Sequence, residues 1–223
     1  MNTNEPKYFD IVAVLFVAVY LISQIAATKL ISIGPFVFPG AIIIFPVSYI
    51  FGDILTEVYG YSRTRRIIWT GFAAASLMSV TFAIVEYLPP APGWAQQQAF
   101  EAILGFVPRI VTGSILAYWA GEFVNSYVLA KMKILTKGRH LWMRTIGSTI
   151  VGQGVDSIVF ASIAFVGIVP SAILLNVIVS LYLAKVVYEV LATPITYYVV
   201  GILKRAERID VYDHHTNFSP FHF

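Results

Sequence analysis

Apolar residues in this chain fall in six long runs, separated by short polar or basic breaks. The first covers Phe9 to Ile31. It is too long for a signal-peptide core, and more apolar sequence follows at once, so it reads as a mature span. Gly34-Pro35 and Pro39-Gly40 punctuate a short loop. The second run, Ala41 to Tyr59, closes at Gly60 and the basic patch Arg63, Arg65 and Arg66. The third, Ile67 to Leu88, ends at Pro89-Pro90. A polar stretch to Glu101, with Trp94 and Gln96, Gln97 and Gln98, leads to the fourth, Ile110 to about Met132. A basic loop, Lys131 to Arg144, precedes the fifth, Thr145 to Ile168. Pro170 introduces the sixth, Ser171 to about Leu203. A membrane-crossing helix needs about 20 mostly apolar residues, so the pattern predicts an all-α integral membrane protein with six transmembrane helices. The expected division is one membrane domain over 1–205 and a polar, aromatic tail over 206–223, with no internal repeat. The sixth run has 33 residues, about 50 Å of helix against about 30 Å of hydrocarbon. A kink at Pro194 and an extension beyond the bilayer are expected to absorb the excess.

Composition agrees. Of 223 residues, 58% are hydrophobic and 12% charged, and mean hydropathy is +0.76. A soluble domain of this size would lack the polar surface to cover itself. That argues against a soluble enzyme, a disordered chain or a nucleic-acid-binding domain. There is no cysteine, hence no disulfide framework, thiolate metal site or cysteine nucleophile. The net charge of +3 and pI near 9.0 acquire meaning from their placement. Twelve of the 15 basic residues fall before the first run, after the second, fourth and sixth. The alternate loops, Ser32 to Pro39, Pro89 to Pro108 and Gly167 to Ser171, carry none. Lysine and arginine concentrate in cytoplasmic loops, so both termini are expected in the cytoplasm of a bacterial inner-membrane, multi-pass protein. Lys29, Arg109 and Lys185 are left inside or at the edges of spans.

Charge within a span costs roughly 2.5–3.5 kcal/mol on insertion scales and usually marks an interior face, a pair or a solute path. Tyr49, Asp53 and Glu57 share one face of the second helix. Glu122 and Asn125 share a face of the fourth, with Tyr118 and Trp119 one turn earlier. Gln153, Asp156 and Ser157 share a face of the fifth, and Lys185 and Glu189 of the sixth. A purely structural use is open to each: Lys185 can satisfy Glu189 on its own helix or Asp156 on the fifth, and Glu57 can reach the headgroups. Lys29 and Arg109 sit near outer ends and can snorkel. The interior is net acidic, with amides and aromatics alongside. It suits a small planar solute that donates hydrogen bonds, because carboxylates accept N–H groups and rings stack on a flat face. A proton or sodium path would use the same acids. No Walker-type phosphate loop, H-E-x-x-H pair or in-membrane histidine is present, so neither a cofactor, a metal nor an enzymatic activity is expected. His214-His215 and the N-x-S sequence at Asn217 fall in the tail and carry no expectation.

At the second helix the pattern becomes specific. F-P-V-S-Y-I-F-G-D-I-L-T-E-V-Y-G-Y-S-R-T-R-R, Phe45 to Arg66, resembles the bacterial family of queuosine precursor transporters. A-T-K at Ala27 to Lys29, S-T-I-V-G-Q-G-V-D-S at Ser148 to Ser157 and K-V-V-Y-E-V-L-A-T-P at Lys185 to Pro194 match in order. The resemblance implies a six-helix bundle like the substrate-binding S components of energy-coupling-factor vitamin transporters. It further implies import of 7-deazaguanine precursors of the modified tRNA base queuosine. One departure stands out: the family's glutamine and, three later, aspartate on the fourth helix are here Glu122 and Asn125. Acid and amide have exchanged places, with the same hydrogen-bonding types. Tyr49, Asp53, Glu57, Trp119, Glu122, Asn125, Gln153, Asp156, Lys185 and Glu189 are the expected substrate-binding residues, with either Asp53 or Asp156 reading the guanine edge. The alternative is a capture subunit needing separate energising partners. Such subunits use small residues four apart on the first helix, and here Ser23 and Ala27 alone fit, near the wrong end. The sequence leaves self-association open.

Overall fold

The computed structural model describes residues 6–213 and 216, apart from the side chains of Pro46 and Tyr49. His214, His215 and Asn217 lie outside the described residues. Among the described residues seven α-helices form in order: α1 (Phe9–Ala26), α2 (Phe45–Tyr59), α3 (Tyr61–Tyr87), α4 (Gln97–Leu104), α5 (Val107–Leu135), α6 (Leu141–Phe165) and α7 (Ser171–Glu207). Five segments among the described residues are long and apolar enough to cross a membrane: α1, α3, the α4–α5 unit, α6 and α7. The architecture is a multi-pass α-helical membrane bundle.

The second apolar run behaves differently from the other five. A 3-10 turn takes up Gly40–Ile43, and α2 keeps 15 residues, about 22 Å of helix. Every residue from Gly52 to Gly60 is buried. Because α1, α3, α5 and α7 enclose it, α2 faces protein rather than lipid and need not match the bilayer thickness. Gly60 ends it at φ +84°, a conformation that favours glycine, and α3 starts at the next residue. The patch Arg63, Arg65 and Arg66 is therefore helical rather than part of a loop.

Two short elements are not legible as apolar runs. Strands β1 (Leu30–Ile33) and β2 (Phe36–Pro39) pair antiparallel, Leu30 opposite Pro39 and Ile33 opposite Phe36, in place of a plain loop. Asn176 on α7 fastens the hairpin: its Oδ1 accepts the Val37 N–H at 3.0 Å and its Nδ2 donates to the Pro35 carbonyl at 3.0 Å. The polar stretch before α5 contains α4, where Gln97 Nε2 donates to Glu101 Oε1 at 2.8 Å. The last helix runs unbroken through Pro194 to Glu207. Its 37 residues amount to about 55 Å of helix.

An aromatic core of Phe16, Tyr20, Phe72, Tyr118 and Phe123 holds α1, α3 and α5 together. Close backbone approach joins α5 to α6. A Cβ on Gly121 would stand 2.6 Å from Asp156 Cβ and 2.9 Å from the Gly152 carbonyl, and one on Gly152 would stand 2.8 Å from the Gly121 carbonyl. Glycine is required at both positions, as expected of small residues in membrane helix contacts.

Candidate functional site

Beneath the hairpin lies a small cavity of about 20 Å³, room for a water and well short of the ~300 Å³ at which small-molecule sites begin. Its walls are largely apolar: Ala27, Pro39, Ile42, Phe45, Phe160 and Leu181. Gln24, Ser114 and Lys185 supply polar groups. Phe160 is one turn from Asp156 on α6, and Leu181 is one turn from Lys185 on α7, so both ionic groups arrive at the same depth. Lys185 Nζ donates to Asp156 Oδ2, and its ammonium stands 4.8 Å from the centre of the Phe45 ring. Of the two partners open to Lys185 in the sequence, the fold selects the one across the α6–α7 contact.

Deeper in the bundle, α2, α5 and α7 bring together Asp53, Glu122, Asn125 and Glu189, all at most 3% exposed. Asn125 Nδ2 donates to Asp53 Oδ1 at 3.0 Å, and Ser126 Oγ donates to Glu122 Oε1 at 3.2 Å. The Asp53 and Glu189 carboxyl groups lie within hydrogen-bonding reach of each other. Gly52 makes room for Glu122, because a Cβ there would stand 2.4 Å from Glu122 Oε1. No ion pair among the described residues includes Asp53, Glu122 or Glu189. Several buried acceptors have no donor among the described residues: Asp53 Oδ2, Glu122 Oε2, Asn125 Oδ1, Gln153 Oε1, Asp156 Oδ1 and Glu189 Oε1. Buried polar atoms are normally satisfied, so a set this concentrated has the capacity to accept hydrogen bonds from water or a bound solute.

One turn beyond Asp53, Glu57 belongs to a second ionic group at the basic end. Arg144 donates to it through Nη1 at 2.9 Å and Nη2 at 3.3 Å, Lys204 Nζ at 2.8 Å, and Lys133 Nζ lies 3.6 Å away. Glu57 and Arg144 are 2% and 1% exposed. Residues after α7 fold back over this group. Asp210 accepts from Lys133 and Lys204, each at 3.0 Å, Lys133 also donates to the Val211 carbonyl at 2.7 Å, and Asp213 accepts the Tyr61 N–H at 3.2 Å. Burial raises the cost of ionising Asp210, but the hydrogen bonds from Lys204 and Lys133 outweigh it and hold its carboxyl below the ordinary aspartate range.

Seven of the residues singled out in the sequence thus line one buried polar region: Asp53, Glu122, Asn125, Gln153, Asp156, Lys185 and Glu189. Glu57 is drawn away by its three cations. Trp119 is half-buried and meets the Phe123 ring edge-on at 5.9 Å, within the aromatic core and not among the cavity walls. The Tyr49 side chain lies outside the described residues. Phe45, Phe160 and Ser114 are wall residues that sequence reasoning misses, since an apolar residue or a serine on an apolar helix carries no signal of its own. Lys29 and Arg109 are exposed at the hairpin end, and Arg109 caps the carbonyls of Ile163 and Val166.

Comparison with known proteins supplies the biological context. Residues 39–199 match the family described as "Putative vitamin uptake transporter". A "Probable queuosine precursor transporter" of Bacillus subtilis is 35% identical over 159 residues, 70% of this chain and 69% of that protein. The chain belongs to the queuosine precursor transporter family. The "Queuosine precursor transporter" of Escherichia coli is 28% identical over 121 residues, 54% of this chain and 52% of that protein. No solved structure matches. The family is one of transporters rather than enzymes, and this transporter is a multi-pass protein of the bacterial inner membrane. The matched span begins at the last residue of β2 and takes in α2 to α6 and most of α7, and with them the whole buried polar region.

Proposed function

We propose that this transporter imports queuosine precursors, 7-deazaguanine bases, and holds them against the Asp156–Lys185 pair in a pocket that widens from the cavity beneath the hairpin. The relatives' names supply the substrate class. The observation that carries the reading is the excess of unsatisfied buried acceptors over donors beside an aromatic-walled cavity. A guanine edge presents a ring N–H and an amino group side by side, which one carboxylate accepts together. Asp156, with Oδ1 open, is placed to take them, Lys185 to donate to the ring carbonyl, and Phe45 and Phe160 to flank the flat face. Gln153, with both amide atoms open, serves either kind of partner. Asp53, Glu122, Asn125 and Glu189 extend the acceptor surface inward.

In this reading the hairpin end faces outward and the basic end faces the cytoplasm, as the positive-inside rule expects. The base enters beneath the hairpin, and the Glu57 group closes the inner side. The test is uptake of radiolabelled 7-deazaguanine bases into liposomes holding the purified protein alone, alongside equilibrium binding. Asp156→Asn should weaken binding at least tenfold, since it leaves one acceptor where the guanine edge needs two. Wild-type affinity in Asp156→Asn would remove the role given to that carboxylate. Binding without uptake would favour a capture subunit that needs partners.

A further inference from the structure

The deeper acids have a use that binding the base does not absorb. Asp53 on α2 and Glu189 on α7 come from different helices, are 1% and 3% exposed, and put their carboxyl groups within hydrogen-bonding reach. Two carboxylates at that separation repel, and no lysine or arginine is assigned to them: Lys185 is bound to Asp156, while Arg144, Lys133 and Lys204 are gathered on Glu57. Asp53 Oδ2 and Glu189 Oε1 meet no N–H or O–H donor among the described residues. One proton held between the two groups turns the repulsion into a hydrogen bond. A metal cation fits less well, because no three carboxylates among the described residues converge closely enough to hold one.

We propose that Asp53 and Glu189 form a proton-carrying carboxyl pair through which the transporter couples entry of the base to entry of one proton. This rests on the import reading for the identity of the cargo. The pair stands between the cavity floor and the inner ionic group: Lys185 is one turn from Glu189 on α7, and Glu57 one turn from Asp53 on α2. Other titratable groups surround it: Tyr118 and Glu122 on α5 face the pair directly, and Tyr20 on α1 and Asp156 on α6 stand next to those two. Asn125 steadies the pair, donating to Asp53 Oδ1 while its own Oδ1 stays open to accept. With the proton present, α2 and α7 are joined. When it leaves toward the cytoplasm, two adjacent anions push the helices apart on the inner side. The proton arrives from outside with a neutral base and is released inside, so each cycle carries one positive charge inward.

Two measurements decide this. Infrared spectra of the base-free protein in lipid should show the carbonyl stretch of a protonated carboxylic acid near neutral pH. That signal should fall in Asp53→Asn and in Glu189→Gln. In liposomes with the membrane potential clamped, an inward gradient of one pH unit should accumulate a neutral 7-deazaguanine about tenfold for one proton per base, and a sodium gradient should do nothing. In the two single variants accumulation should become indifferent to the pH gradient, whatever change in base affinity the substitution brings. A signal that is absent, or that neither variant alters, overturns the proposal, as does uptake indifferent to pH gradient or driven by sodium. If no base binds or moves, the import reading fails, and the infrared result still decides the carboxyl pair.

Discussion

Glu57 offers the sharpest test of how charge is managed inside this bundle. Replacing it by glutamine keeps the shape and removes one negative charge. Arg144, 1% exposed, would then keep the Gly138 carbonyl at 3.3 Å and one neutral amide oxygen, with no carboxylate to balance its charge. Removing one partner of a buried ion pair costs about 3–5 kcal/mol. Replacing Arg144 by glutamine is the milder change, because Glu57 keeps Lys204 at 2.8 Å and Lys133 at 3.6 Å. What goes is a pair of charged hydrogen bonds, about 1.5–3 kcal/mol. For a chain of this length each kcal/mol moves the midpoint by ~2–4 °C, so Glu57→Gln should lower it by ~6–20 °C and Arg144→Gln by roughly half as much. Thermal unfolding in nanodiscs, followed by tryptophan fluorescence, reads both. Adding Arg144→Met to Glu57→Gln should recover part of the loss, since no orphaned guanidinium remains. If Arg144→Gln proved as costly as Glu57→Gln, or the double variant worse than Glu57→Gln alone, Glu57 would not be the centre of this group.

Other consequences are equally open to measurement. Lys185→Met leaves Asp156 as a buried carboxylate without its cation and should cost about 3–5 kcal/mol; Asp156→Asn added to it should restore stability but not base binding, read by unfolding and ligand titration. Gly121→Ala forces a Cβ to 2.6 Å from Asp156 Cβ, which should cost about 1–3 kcal/mol and lower uptake. Asp210, held below its ordinary range by Lys204 and Lys133, adds stability that is complete above the unfolded aspartate value of about 3.9 and is lost as pH falls through the lower folded value. The segment over the basic end should therefore keep its amide hydrogen-exchange protection down to about pH 4 and lose it only in stronger acid.

The long helices are readable because an apolar run of about 20 residues fits a membrane span and little else. Side-chain reach is not. Lys133, Arg144 and Lys204 count in the sequence as topology-setting charges, yet in the fold they turn inward and gather on Glu57. Linear position places Arg144 in a basic loop, whereas α6 has already begun at Leu141 and turns it toward α2. Four-residue spacing brings out Asp53, Asp156 and Glu189 correctly as interior groups. It cannot say that Asp53 meets Glu189 from another helix, because helix periodicity orders residues along one axis and is silent about crossings. For the same reason Trp119 looks eligible to line the site: it neighbours Tyr118 in sequence, but the next residue on a helix points about 100° away. The hairpin and α4 stay hidden because elements of eight residues or fewer lie below the length at which periodicity separates helix, strand and loop.

The glycines at 121 and 152 constrain more than packing density. With each backbone lodged against the other, neither α5 nor α6 can roll or slide without collision, so the two travel as a single slab bearing Glu122, Asn125, Gln153 and Asp156. Whatever opens a path to either side of the membrane must then be displacement of α2 and α7 across that slab. Spin labels placed on α5 and α6 should keep one separation throughout turnover, while a label on α7 changes its distance to both.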